Sequence, residues 1–316
     1  MQERQPPRLC HLYLNSPEHP FDQALQAQAE GMAAEATRGG FPIAVRVRSA
    51  RGDEKVQMGQ MDSDRRSAEC PDLVIVIPIQ HEAIYPICAD TLSSNRKVSV
   101  VILHQRLTPV MLADRQRYGR RLFSVSADQQ EIGRLQARQF AALLPEQKGD
   151  VLYVQGSETS YGTKQRMKGL LEELPRTPGA RLNGFRVYGD WSPESVKPAV
   201  AEWEGRGGRL EWLGAAGAQS DSMALALHGL LREHGVGIPV IGVDGLDLGQ
   251  RAVDEGTLAA TVIQPLGVGH AIDVYRRLSA DGVEDATLIP ADGNIVLRPT
   301  SYPALDFLAR RHSQKQ

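Results

Sequence analysis

Two apolar runs in this 316-residue chain end on single polar side chains: VIGVD stops at Asp244, and AATVIQ stops at Gln264 twenty positions later. A carboxylate accepts hydrogen bonds and an amide both accepts and donates, so the pair suits hydroxyl groups. The pattern recurs along the chain. Asn15 follows HLYL, Gln80 and His81 follow LVIVIPI, and His104, Gln105 and Arg106 follow VVIL. Further on, Gln155 and Gly156 follow VLYV, Trp191 lies just past VYG, and Gln219, Ser220 and Asp221 follow GAAGA. Arg166 would add a planar fork of donors suited to adjacent hydroxyl or carboxylate oxygens. Trp191 would add a flat apolar face for the C–H side of a sugar ring. Convergent polar groups beside an aromatic wall describe a small-molecule pocket.

Each of these residues also has a plainer reading. Asp244, followed by Gly245, could cap a helix, a role worth about 1 kcal/mol. Gln264 could be a satisfied polar group beside Pro265, Arg166 a solvated residue of an amphipathic helix, and Trp191 a core residue. The neighbours Asp190 and Ser192 favour a loop for Trp191. His104 divides between ligand contact and hinge structure, while His81, Tyr161 and Asp221 read as structural, Asp221 as a helix cap. The sequence has no GxSxG elbow, HExxH pair, GxxxxGK[ST] loop or Cys/His cluster. Cys10, Cys70 and Cys88 are too few and too scattered for a disulfide framework or a zinc site. No catalytic residues, metal or cofactor are therefore expected.

The polar ends need elements to carry them. Strands are expected at LCHLYL, FPIAVRV, DLVIVIP, VSVVIL, LFSVS, DVLYVQG, FRVYG, LEWLGAA, PVIGVDG and LAATVIQ. Runs apolar on both faces suit parallel strands covered by helices. Amphipathic stretches lie between them. The clearest is Asp128–Leu144, with Asp128 as N-cap, Glu131 three residues on, and Ile132, Leu135, Phe140 and Leu143 on one face. Such alternation gives right-handed βαβ units in doubly wound α/β sheets. Ten strands make two sheets of about five more reasonable than one. The polar stretch 104–121 is the compositional break between them, and residues after Tyr302 read as a short helix.

Composition adds limits. The residues are 41% hydrophobic and 23% charged, with a net charge of −2, which is ordinary globular usage with no pull toward nucleic acid or anionic lipid. No 18-residue apolar run occurs, so no membrane insertion is expected, and the first residues carry no apolar leader.

The stretch IGVDGLDLGQRAVDEGTLAATVIQP resembles the type I periplasmic binding proteins of the ribose-binding kind, which share their core with lactose-repressor-like regulators. SADQQEIGRLQARQFAALL, VQGSETSYGTKQRMKGL and AQSDSMALAL support the likeness, and weaker stretches extend it over residues 9–300. The resemblance implies two Rossmann-like parallel-sheet lobes joined by a multi-strand hinge, with a ligand cleft between them. One lobe would comprise residues 9–127 plus 265–293, the other 128–264 plus 294–316. Carried over residue by residue, it implies ligand contacts from Asn15, Phe21, Asp22, His104, Gln105, Arg106, Arg166, Trp191, Ser220, Asp244 and Gln264. Ser220 stands where the family has an asparagine, Asp22 where a second ring is common, and His104–Gln105 where Asp-Arg is usual. The implied function is a periplasmic solute-binding protein that closes around a monosaccharide or polyol. It would present that ligand to an ABC transporter permease or a sensor domain. The runner-up is a cytoplasmic ligand-sensing regulatory core without a DNA-binding headpiece.

Overall fold

A computed structural model describes residues 6–144, 149–176, 180–182, 187–280 and 287–313. Within it the chain divides into two compact units, Met1–Ala127 with Leu266–Leu297, and Asp128–Pro265 with Arg298–Gln316.

The first unit opens with β1 (Arg8–Leu14), α1 (Pro20–Arg38), β2 (Ile43–Ser49), α2 (Glu54–Arg65) and β3 (Leu73–Val76). It continues with α3 (Tyr85–Ser94), β4 (Ser99–Leu103), α4 (Pro109–Tyr118) and β5 (Leu122–Ala127). The second unit then supplies α5 (Gln129–Leu143), β6 (Gly149–Gln155), α6 (Tyr161–Glu173), β7 (Ala180–Leu182), β8 (Val187–Tyr188) and α7 (Val196–Gly205). β9 (Leu213–Ala218), α8 (Asp221–Glu233), β10 (Val240–Ile241), α9 (Asp247–Asp254) and β11 (Thr261–Ile263) complete its main stretch. The chain returns to the first unit for α10 (Val268–Leu278) and β12 (Asn294–Leu297). It ends in the second with β13 (Thr300–Tyr302) and α11 (Leu305–Ser313).

The first sheet runs β12-β5-β4-β3-β1-β2, with every described pairing parallel. The second runs β10-β9-β6-β7, with β8 also paired to β6, and is parallel too. Both strand orders reverse direction, as a doubly wound sheet requires. Alternate residues of β6 enter different cores. Leu152 and Val154 join Trp203, Met223 and Leu227, whereas Val151 and Tyr153 join Phe140, Met167 and Leu170. Burial on both faces is what makes these strands uniformly apolar in sequence.

Three expectations change. The stretch 104–121 is not a boundary, because it contains α4 and leads into β5, which pairs with β4 inside the first sheet. The last crossing falls after Leu297 rather than at 293, because Asn294–Leu297 pairs with Ser124–Ala127. Residues 210–212 of LEWLGAA form a 3-10 turn ahead of β9, and the first two residues of FRVYG lie outside the described set. Asp128 caps α5 as expected, accepting from the Glu131 N–H at 3.0 Å.

Candidate functional site

In the second unit the helix crossing of α5 on α6 determines where Arg166 lies. A Cβ on Gly133 would sit 1.9 Å from the Arg166 carbonyl oxygen, and one on Gly169 would sit 1.9 Å from that of Gln130. Two glycines therefore allow backbone-to-backbone approach, and the Arg166 side chain emerges at the N-terminal end of α5. It is 4% exposed. Nε donates to Gln129 Oε1 at 2.8 Å, one terminal nitrogen donates to the Gln219 carbonyl at 2.5 Å, and the other donates to Gln264 Oε1. Burial pulls the Arg166 pKa down, while Asp244, Tyr153 and Asp221 pull it back up. The compensating charges keep a buried guanidinium tolerable.

Asp244 and Gln264 are neighbours. The Asp244 N–H donates to the Val262 carbonyl at 3.0 Å, the Gln264 N–H donates to the Asp244 carbonyl at 3.0 Å, and Asp244 bridges Ile263 in parallel. The two apolar runs thus extend side by side, and each ends on its polar residue at the same level. Asp244 is 8% exposed and has φ 109°, and it does not cap α9, which has Leu246 at that position.

Trp191 stands in the loop between β8 and α7, with φ 76°. Asp190 shapes that loop by accepting from the Ser192 N–H at 2.9 Å and the Ser192 hydroxyl at 2.5 Å. The indole lies flat on Gly156, where a Cβ would come within 2.2 Å of the ring, and the Arg166 guanidinium carbon is 5.4 Å from the ring centroid. Trp191 is half-buried and packs against the core around Trp203, so its plainer reading as a packing residue stands in part.

Other residues are committed elsewhere. Ser220 is the N-cap of α8, accepting from the Met223 N–H at 3.3 Å. Asp221 does not cap. It accepts from the Thr261 hydroxyl at 2.6 Å and the Gly245 N–H at 2.8 Å, which ties α8 to the turn after Asp244. Burial pushes its pKa up to about 7, against the pull of those bonds and of Arg166.

The first unit has its own cluster at the C-terminal ends of β1 and β4. His104, with φ 62° and 8% exposed, meets Phe21 edge-on at 5.0 Å between ring centroids. Asp22 Oδ2 accepts from the Asn15 and Ser16 N–H groups at 2.9 and 2.7 Å, and burial raises its pKa to about 6. This carboxylate is thereby engaged in holding the β1–α1 loop. The Asn15 Oδ1 and Gln105 Oε1 atoms are buried and make no hydrogen bond among the described residues. Gln105 Nε2 donates to the Pro78 carbonyl at 2.9 Å. Arg106 is exposed, and its carbonyl accepts from His81 at 2.7 Å.

Residues 12–269 match the family model described as a periplasmic binding protein domain. The chain belongs to that family. A xylitol-binding protein of Mycolicibacterium smegmatis is 25% identical over 217 residues, which is 68% of this chain and 57% of that protein. The chain thus matches little more than half the length of that curated relative. Among solved structures, an ABC transporter solute-binding protein of Actinobacillus succinogenes with bound D-allose superposes with TM-score 0.78 at 18% identity. The alignment covers 98% of this chain and 100% of that one. A Caulobacter myo-inositol binding protein superposes with TM-score 0.78 at 18% identity, covering 98% and 99%. These structures establish the periplasmic binding protein fold.

Sequence reading did not single out Gln129, although it supplies an acceptor for Arg166. A usable signal was present: Gln129, Gln136 and Gln139 punctuate the apolar face of α5, and all three are buried. Gln136 Nε2 donates to the Ala218 carbonyl at 3.0 Å, and Gln139 Nε2 to the Thr261 carbonyl at 2.9 Å. Among the described residues, no group of three or more His, Cys, Asp or Glu could hold a metal ion.

Proposed function

We propose that this periplasmic binding protein is a solute receptor for an uncharged, hydroxyl-rich small molecule, a monosaccharide or polyol, which it delivers to an ABC transporter permease or a sensor domain. The observation that carries the reading is the state of Arg166. Three of its five N–H donors are already bonded to protein acceptors, so it would orient amides and balance Asp244 before any ligand arrives. Asp244 would accept from ligand hydroxyls, Gln264 would contribute its amide, and Trp191 would cover the C–H face. Asn15, Phe21, His104 and Gln105 would close on the ligand from the first unit by hinge bending, the family's mode of capture. Asp22, Arg106 and Ser220 would contribute at the edge, since each already serves the loop or helix that carries it. The protein would act in the periplasm and perform no covalent step.

The chemistry is sufficient. Micromolar affinity requires about −8 kcal/mol. Four or five hydrogen bonds at about 1–2 kcal/mol each, with one aromatic contact, reach it. The names of the relatives support this class, since they specify xylitol, allose and myo-inositol. Differential scanning fluorimetry against a panel of pentoses, hexoses, pentitols and inositols tests it. Saturation at about 100 times Kd adds about 2.7 kcal/mol of stability and raises Tm by at least about 4 °C. A panel in which no neutral member raises Tm, while charged amino acids or sugar acids do, overturns it.

A further inference from the structure

The outer side of α6 carries a second set of groups that the candidate site does not use. Gln155, Thr163, Lys164, Lys168 and Tyr188 help to line a cavity of about 430 Å³ in the second unit. Arg166, Trp191 and Asp244 are not among its lining residues. Gln155 and Thr163 are each 1% exposed, and Gln155 Nε2 and Thr163 Oγ1 have no hydrogen-bond partner among the described residues. Burying polar groups unpaired is unfavourable, and native structures seldom keep such groups without use. At the mouth, Lys164 and Lys168 stand one turn apart, exposed, and form no ion pair among the described residues. Glu172 on the same rim is held by Arg134 at 2.9 Å, which leaves Glu158 as the local acid opposing two ammonium groups.

We propose that this cavity is an auxiliary site for a small hydroxylated monocarboxylate of the sugar-acid kind. The ammonium groups take the carboxylate. Once a side-chain rotation brings them to the cavity surface, the Gln155 amide and the Thr163 hydroxyl take the hydroxyls with the Glu158 carboxylate, and Tyr188 with Met167 covers the carbon chain. The site is independent of the neutral-ligand reading above, and its occupant differs from that ligand in charge.

Titration of the full chain with D-gluconate, followed by 1H–15N NMR, tests it through the Gln155 side-chain NH2 and the Lys164 and Lys168 backbone amides. These signals move together and saturate, and Asp244→Asn leaves the titration unchanged. The double substitution Lys164→Gln/Lys168→Gln weakens it by about tenfold or more, as loss of charged partners dictates. Thr163→Val weakens it less, and if that variant misfolds the surface lysine pair still decides. Signals that stay fixed up to about 10 mM gluconate overturn the proposal. So do shifts that disappear in Asp244→Asn, or inorganic phosphate producing the same shifts with the same affinity, which would make the site a simple cation patch.

Discussion

Replacing Gly156 with alanine adds one methyl group and tests whether the indole of Trp191 belongs to a ligand site. The new Cβ would lie 2.2, 2.3 and 2.4 Å from three ring carbons, well inside van der Waals contact. Gly156 does not have a left-handed backbone, so alanine is tolerated there and the ring is what must yield. To restore contact near 3.5–4.0 Å the indole must retreat by about 1.5 Å, off its seat and away from Arg166. The aromatic contact with ligand is worth about 0.5–1.5 kcal/mol, and the cation–π contact that holds the ring is worth about 0.5–2 kcal/mol. Loss of both predicts weaker binding by about 1–3.5 kcal/mol, or roughly fivefold to 400-fold in Kd. Isothermal titration calorimetry with the sugar or polyol that raises Tm most would measure it. Because both substitutions act on one ring, Trp191→Ala should lose a similar amount, and the double variant should lose little more than either alone. Unchanged affinity in Gly156→Ala, or fully additive losses, would refute the placement of Trp191 in the site.

Two further outcomes follow from buried charges. Arg166→Met removes one donor each from Gln129, Gln264 and the Gln219 carbonyl and takes the guanidinium charge away from Asp244. Urea unfolding should show a loss of about 3–5 kcal/mol, together with loss of ligand binding. Full retention of stability would mean the guanidinium is not the post that the distances describe. For Asp22 the sign runs against the usual carboxylate, because the folded pKa of about 6 lies above the ordinary 3.8. Its contribution is present below about pH 4 and lost as pH rises to about 6, some 3 kcal/mol for two pKa units. Asp22→Asn should therefore gain on the native protein between pH 4 and 7 in urea titrations, and a native protein that gains on the variant instead reverses the assignment.

The parallel sheets and their helices were legible because strands buried on both faces must be uniformly apolar, as LVIV and SVVIL are. That Asp244 and Gln264 each end such a run was legible for the same reason, but that the two ends pair with each other was not. What escaped was the material that has no periodicity. Asn294–Leu297 is only four residues long, and its membership of the first sheet is decided by pairing with β5, a contact between residues 170 apart that no local pattern encodes. Asp22 and Ser220 had the right chemistry for ligand contact, but their side chains are drawn to nearby backbone N–H groups. Short polar side chains at helix starts commonly behave this way. The role of Gly156 is legible only once Trp191 is seen resting on it.

The left-handed backbone at His104, Trp191 and Asp244 has a practical corollary for anyone turning this receptor into a biosensor. Each such non-glycine residue holds roughly 1–3 kcal/mol of conformational strain. Glycine at these positions would harden the scaffold against heat, yet would erase the side chains proposed to meet the ligand. Thermal ruggedness should therefore be sought at helix caps and exposed turns, with these three loops left untouched.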